Sequence, residues 1–200
     1  MKKRFIILLC CLSLSISIKA QSFGGGMILG LSTSQVSGDN LGGFKKAGLL
    51  IGGFIDLQLN NAVRSQMEMT FIQKGSNNPN MNENSYSDIS LSYVEIPLLI
   101  KYQQSRTIAI EGGVETALLI SASDNDIYGQ ISANSSRKFN RTDVSVFIGI
   151  DYFINQRLIL NSRISNSILP IRAHASNTTF QFNKGQYNSV MSFALHYILL

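Results

Sequence analysis

Nine charged side chains recur inside alternating polar–apolar segments: Arg64, Glu68, Glu95, Lys101, Glu111, Glu115, Asp143, Asp151 and Arg163. Charges of both signs at such positions can pair, or can relay protons or ions along an interior. The pairing reading is preferred, because the interior of an eight-stranded barrel is just wide enough for its own side chains. Other chemistry has thinner support. Two histidines are present, His174 and His196. A Ser–His–acid relay, which some lipid-modifying enzymes use, needs the base within hydrogen-bond reach of both partners. Nothing in the local spacing imposes that, so no catalytic residue is assigned, and His196 is expected as a satisfied interior histidine. The run Asp124-Asn125-Asp126-Ile127-Tyr128-Gly129 hints at a calcium loop. It fails at its fifth position, Tyr128, and at its twelfth, Ser135, where a Glu is required. With no phosphate loop and no His/Cys cluster at ligand spacing, neither a metal nor a cofactor is expected.

Side chains placed this way need strands to hold them. Eight segments of period two are read at residues 23–32, 47–59, 63–74, 89–102, 106–120, 141–153, 157–165 and 186–199. In 63–74, Val63, Met67, Met69 and Phe71 oppose Arg64, Gln66, Glu68, Thr70 and Lys74. In 89–102, Val94, Ile96, Leu98, Ile100 and Tyr102 oppose Tyr93, Glu95, Pro97, Leu99 and Lys101. Glu95 and Lys101 share a face but lie about 20 Å apart along the strand. Each must therefore pair across strands, for instance Glu95 with Arg64 or Lys74. Pro97 removes a ladder donor and predicts a bulge or bend. The connections alternate in length. Those at 33–46, 75–88, 121–140 and 166–185 are long, and those at 60–62, 103–105 and 154–156 are short. That alternation is the mark of a transmembrane barrel with short periplasmic turns and long external loops, and an even strand number puts both termini on the periplasmic side.

The 200 residues suit one domain, with residues 1–20 read apart from it. Met1-Lys2-Lys3-Arg4 is a basic start, residues 5–18 are apolar, and cleavage is placed after Ala20, as in a secretory signal peptide. The apolar run is shorter than a spanning helix needs. This segment holds Lys2, Lys3, Arg4 and Lys19 and no acid, so its removal takes four charges from the net +5 and leaves +1. Basicity is then a targeting feature, and nucleic acid is not an expected partner. Cys10 and Cys11 leave as well, so residues 21–200 hold no thiol. A lipoprotein reading of Cys10 is disfavoured by the preceding Leu8-Leu9.

Alternation also fits a soluble sandwich or a periplasmic lipocalin-like binder. Charged residues are only 14% of the chain, against about 25% in soluble domains. Turned outward, they would make a poor soluble surface. Turned inward, among Gly52, Gly113, Ala117, Gly149 and Ala194, they can pair in a packed interior. In hydrocarbon every backbone polar group needs an internal partner, so strands span only as a closed ring. The predicted fold is therefore all-β: an eight-stranded antiparallel up-and-down transmembrane β-barrel. Tyr102, Tyr152 and Tyr197 stand on the apolar face near the short turns and are expected to form a periplasmic aromatic girdle.

Residues 93–102, Tyr-Val-Glu-Ile-Pro-Leu-Leu-Ile-Lys-Tyr, resemble a recurring strand of the PorT-like outer-membrane β-barrel family, Y-x-E-I-P-L-L-x-K-Y. Residues 66–75 resemble that family's E-x-x-Y/F-x-Q-K-G strand, and residues 37–44 its glycine-rich first loop. The chain departs from the family in lacking a lysine near Gly24-Gly25-Gly26-Met27, and in closing on Tyr197-Ile198-Leu199-Leu200 without a terminal Phe. The resemblance implies a barrel in the outer membrane of a Gram-negative cell, and through one member it implies a link to a protein-secretion apparatus. The function expected from the residues is a non-enzymatic, monomeric barrel with a structural or interaction role through its external loops. Its expected partners are outer-membrane lipid and envelope or secretion-machinery proteins. Alternatives are an accessory part of a secretion or export apparatus, a lipid-modifying outer-membrane enzyme, and the soluble binder.

Overall fold

The computed structural model describes residues 23–37, 43–78, 87–126, 129–130, 138–173 and 185–199, with the backbone alone described at 78, 87, 126, 129 and 130. The expected signal segment lies outside these residues, as do His174, Tyr128, Ser135 and Leu200. Among the described residues lie nine strands: β1 (Phe23–Ser37), β2 (Lys46–Gln58), β3 (Val63–Asn78), β4 (Ser87–Gln103), β5 (Ile108–Asp126), β6 (Gly129–Gln130), β7 (Thr142–Phe153), β8 (Leu158–Ser167) and β9 (Tyr187–Ile198). They are antiparallel, in the order β4-β3-β2-β1-β9-β8-β7-β5, and a β4–β5 ladder closes the ring. β6 is two residues long and pairs only with the outer end of β5. The wall is therefore a closed, eight-stranded antiparallel barrel. The eight wall strands match the segments read from the sequence, though at the long-loop end β1, β3 and β5 run four to six residues farther and β4 two.

Alternation along each strand sorts the side chains to two faces. On β7, Asp143, Ser145, Phe147, Gly149 and Asp151 are buried, while Val146, Ile148, Ile150 and Tyr152 are exposed. Ile148 is 70% exposed and Asp151 is 0% exposed. β3, β4, β5, β8 and β9 repeat the pattern, with Met69, Leu98, Leu118, Ile164 and Phe193 outside. An outward apolar band around inward charges is the arrangement for lipid. A soluble core has the opposite one.

Closure in a narrow ring requires small residues on the inside. A Cβ on Gly30 would lie 2.4 Å from the Phe193 carbonyl, and one on Gly52 2.3 Å from the Met69 carbonyl. A Cβ on Gly149 would come 2.6 Å from Glu111 Oε1.

Two local details differ from expectation. Pro97 produces no register shift: the β3–β4 ladder reads Met67↔Leu98 and resumes at Thr70↔Glu95 in the same register. A proline can sit there because its missing N–H interrupts one ladder locally while the flanking pairs hold the frame. The irregularity lies instead between Ser92 and Tyr93, where β5 carries one extra residue, Ile120, between Leu119 and Ser121. The interior is also not wholly polar. Ile28, Leu50 and Phe54 of β1 and β2, Ile72 of β3, Ile89 and Leu91 of β4, and Val190 and Ala194 of β9 belong to one inward apolar cluster.

Candidate functional site

The inward face of β3, β4, β5, β7 and β8 carries the charges. Arg163 on β8 is the most connected. Its Nε donates to Glu111 Oε1 (2.7 Å), and its two Nη atoms donate to the carboxylate of Glu68 (3.0 Å each). Glu111 is two places from β8 around the ring, and Glu68 on β3 is four places away by either route. The Glu68–Arg163 fork therefore crosses the full diameter. The guanidinium also stacks 4.2 Å from the Phe147 ring centroid. A bidentate fork suits arginine, whose planar donors match a carboxylate.

Below it, toward the short turns, Lys101 Nζ donates to Asp151 (2.5 Å) and lies 3.4 Å from Glu111. Asn161 bridges Glu111 (2.9 Å) and Asp151 (2.7 Å), and Gln66 donates to Glu68 (2.7 Å). Toward the long loops, Lys74 pairs with Glu95 and lies 3.6 Å from Glu115. Asn188 donates to Asp143 (2.9 Å). At the short-turn mouth, Arg64 pairs with Asp56 (2.8 Å) and Gln58 (2.9 Å). A cavity of about 140 Å³ there is lined by Gln58, Arg64, Lys101, Gln103 and Phe153 among others.

Eight of the nine sequence-selected charges are thus deeply buried, and most are joined by ion pairs. Arg64 stands apart at the mouth with its side chain 40% exposed. Of the two partners suggested for Glu95, the structure shows Lys74. Buried charges persist only when partners replace their lost water, so this is a mutually dependent set.

Sequence reading missed Asp56, Asn161 and Asn188 as members. Each shares the phase of a recognised inward residue: Asp56 with Gly52, Asn161 with Arg163, and Asn188 with His196. Extending the alternation from the charges to every polar residue of the same parity finds all three.

Among the described residues, none of the other candidate chemistry gains a partner set. His196 is buried, its Nδ1 has no hydrogen-bond partner, and its ring lies 5.5 Å from Phe54. Asp124 is held by Arg172 at 2.6 Å, in a pairing that ties β5 to the 168–173 segment. Among the described residues no group of three His, Cys, Asp or Glu side chains is placed to hold a metal. Ile171 is fully buried, with Phe139 packed against the same interior cluster near the long-loop end. The girdle tyrosines Tyr102, Tyr152 and Tyr197 are each about half exposed on the outer face near the short-turn end.

A family model described as outer membrane protein beta-barrel domain matches residues 19–172. No curated protein matches the chain. Among solved structures, Ail, the attachment invasion locus protein of Yersinia pestis, superposes with a TM-score of 0.54 at 12% identity, covering 88% of this chain and 98% of that one. Ail in complex with the heparin analogue sucrose octasulfate gives 0.53 at 13% identity, covering 89% and 99%. Neisserial surface protein A gives 0.50 at 13% identity, covering 90% and 99%. At these identities the likeness is one of fold.

Proposed function

The chain belongs to the outer membrane protein beta-barrel domain family, and from that premise we propose that it is a non-enzymatic barrel that engages other envelope components through its external side. The observation that supports this is the uneven outer rim. The β5–β7 ladder ends at Leu118↔Thr142, whereas the β4–β5 ladder continues to Ser87↔Asp126 and the β3–β4 ladder to Asn78↔Ser87. Three strands thus continue beyond their neighbours at the long-loop end, while the interior is filled with side chains. Lys46 braces this extension through Asp88 and Ser90, at 2.5 Å each, and Arg172 braces it through Asp124. A rigid extension of a plugged barrel suits contact better than passage.

The test is affinity purification from cross-linked envelopes. The wild-type protein is compared with a variant whose residues 79–86 and 131–137 are replaced by short Gly-Ser linkers. The expected result is an intact barrel that loses its co-purifying envelope proteins. Equal recovery from both proteins overturns the reading.

A second reading is favoured by the segment at residues 93–102: PorT-like membership and an accessory place in a secretion apparatus. Tyr93, Glu95 and Lys101 of that segment all face inward, which supports a barrel wall more directly than a secretion role. Recovery of secretion components in the same purification, with altered exported proteins on deletion, supports it. Unchanged export counts against it.

A further inference from the structure

Among the described residues, exposed charge is of one sign. Every acidic residue whose side chain is described is buried or half-buried, and none is exposed. Five basic residues are exposed: Lys45, Arg106, Lys138, Arg141 and Arg157. None of the five forms an ion pair among the described residues.

Arg106 and Arg157 stand at the short-turn end. Arg106 lies in the turn between β4 and β5, and Arg157 in the turn between β7 and β8. The two turns are neighbours, since Phe153 N donates to the Thr107 carbonyl at 2.9 Å. β5 and β8 are two strand spacings apart, roughly 10 Å. Directly above the turns, on the lipid face, the ladders place Tyr102 opposite Ile110, Tyr152 opposite Ile108 and Leu160, and Tyr197 opposite Leu158. Three half-exposed tyrosines thus lie over two unpaired guanidiniums on the same stretch of wall. β1, β2 and the turn after β2 present Phe23, Ile55 and Leu59 at this level instead, and the cation on β3, Arg64, is turned into the mouth and paired with Asp56.

We propose that Arg106 and Arg157, beneath Tyr102, Tyr152 and Tyr197, form a headgroup site for anionic phospholipid in the periplasmic leaflet. Amphipathic tyrosine rings settle at headgroup depth. A guanidinium offers paired donors to a phosphate, and no nearby acid competes for it. Among the described residues no acid is exposed to repel an anionic headgroup.

The experiment is native mass spectrometry of the folded protein in neutral detergent, titrated separately with short-chain phosphatidylglycerol and phosphatidylcholine. Wild-type protein is compared with Arg106→Gln/Arg157→Gln and with Lys45→Gln/Arg141→Gln. An unboiled gel shift confirms that each variant is folded. Each interfacial basic residue contributes about fivefold to anionic-lipid affinity, so the Arg106/Arg157 variant should bind phosphatidylglycerol about 25-fold more weakly. Phosphatidylcholine binding should not change, and the Lys45/Arg141 variant should behave as wild type. Three results overturn the assignment: no preference for phosphatidylglycerol in the wild type, full retention by the Arg106/Arg157 variant, or an equal loss in the Lys45/Arg141 variant.

Discussion

At the scale of single residues, Arg163 is the side chain on which most others depend. Replacing it with Met leaves Glu68 and Glu111 buried without their main cation. Breaking a buried ion pair from one side costs about 3–5 kcal/mol, so Arg163→Met should lower the urea midpoint of the barrel in detergent by that equivalent. Lysine keeps the charge but cannot fork across the diameter, and Arg163→Lys should fall between Met and wild type. A Met variant as stable as wild type would mean that the network contributes nothing net. Gly149 is the counterpart on packing grounds. A valine there drives its Cβ toward Glu111 Oε1 and the Ser162 carbonyl, 2.6 and 2.9 Å away. Gly149→Val should therefore yield little folded protein, and Gly112→Val, whose nearest contact is 3.7 Å away, should yield much more. The sequence exposed these residues unevenly. Charges announce themselves by type, so Glu68, Glu95 and Arg163 stand out. Asn161 and Asn188 do not, because an amide is as common in a solvated loop as in an interior network.

At the scale of elements, the lipid face sets the expectation. Ile148 is exposed, and on a soluble sheet an exposed Ile→Arg change costs little. In hydrocarbon, arginine near mid-depth costs about 2–4 kcal/mol. Ile148→Arg should lose that much in urea unfolding from vesicles, while Thr142→Arg at the strand's outer end should lose far less. Equal effects would deny a depth-dependent apolar environment. Alternation made the strands and their faces readable, because β3, β4 and β7 each alternate cleanly. It failed for β1 and β2. Residues 49–55, Leu-Leu-Ile-Gly-Gly-Phe-Ile, are apolar on both faces, so period two cannot show that Leu50 and Phe54 turn inward. The apolar cluster went unread for that reason. Pro97 was misjudged for another. A missing donor predicts a lost hydrogen bond, and whether the register also slips depends on the partner strand, which local sequence does not contain.

At the scale of the whole molecule, closure governs behaviour. A ring of eight strands has no free edge, so it should resist dodecyl sulfate until heated. The unboiled protein should migrate differently from the boiled one, and identical migration would deny a closed barrel. Setting aside β5–β7, which steps over only the two-residue β6, all of the wall's ladders but one join consecutive strands. The exception is the seam between β1 and β9, which pairs Gly26 with Ile198 and Ser37 with Tyr187. Contacts close in sequence form early, and distant ones wait for the chain to come round. The Glu68–Arg163 fork spans 95 residues and joins the two ends of the half-ring β3-β4-β5-β7-β8, so it needs that half to be curved but not the seam to be shut. Arg163 is thus a gauge of curvature, and the seam alone turns the curved sheet into a tube.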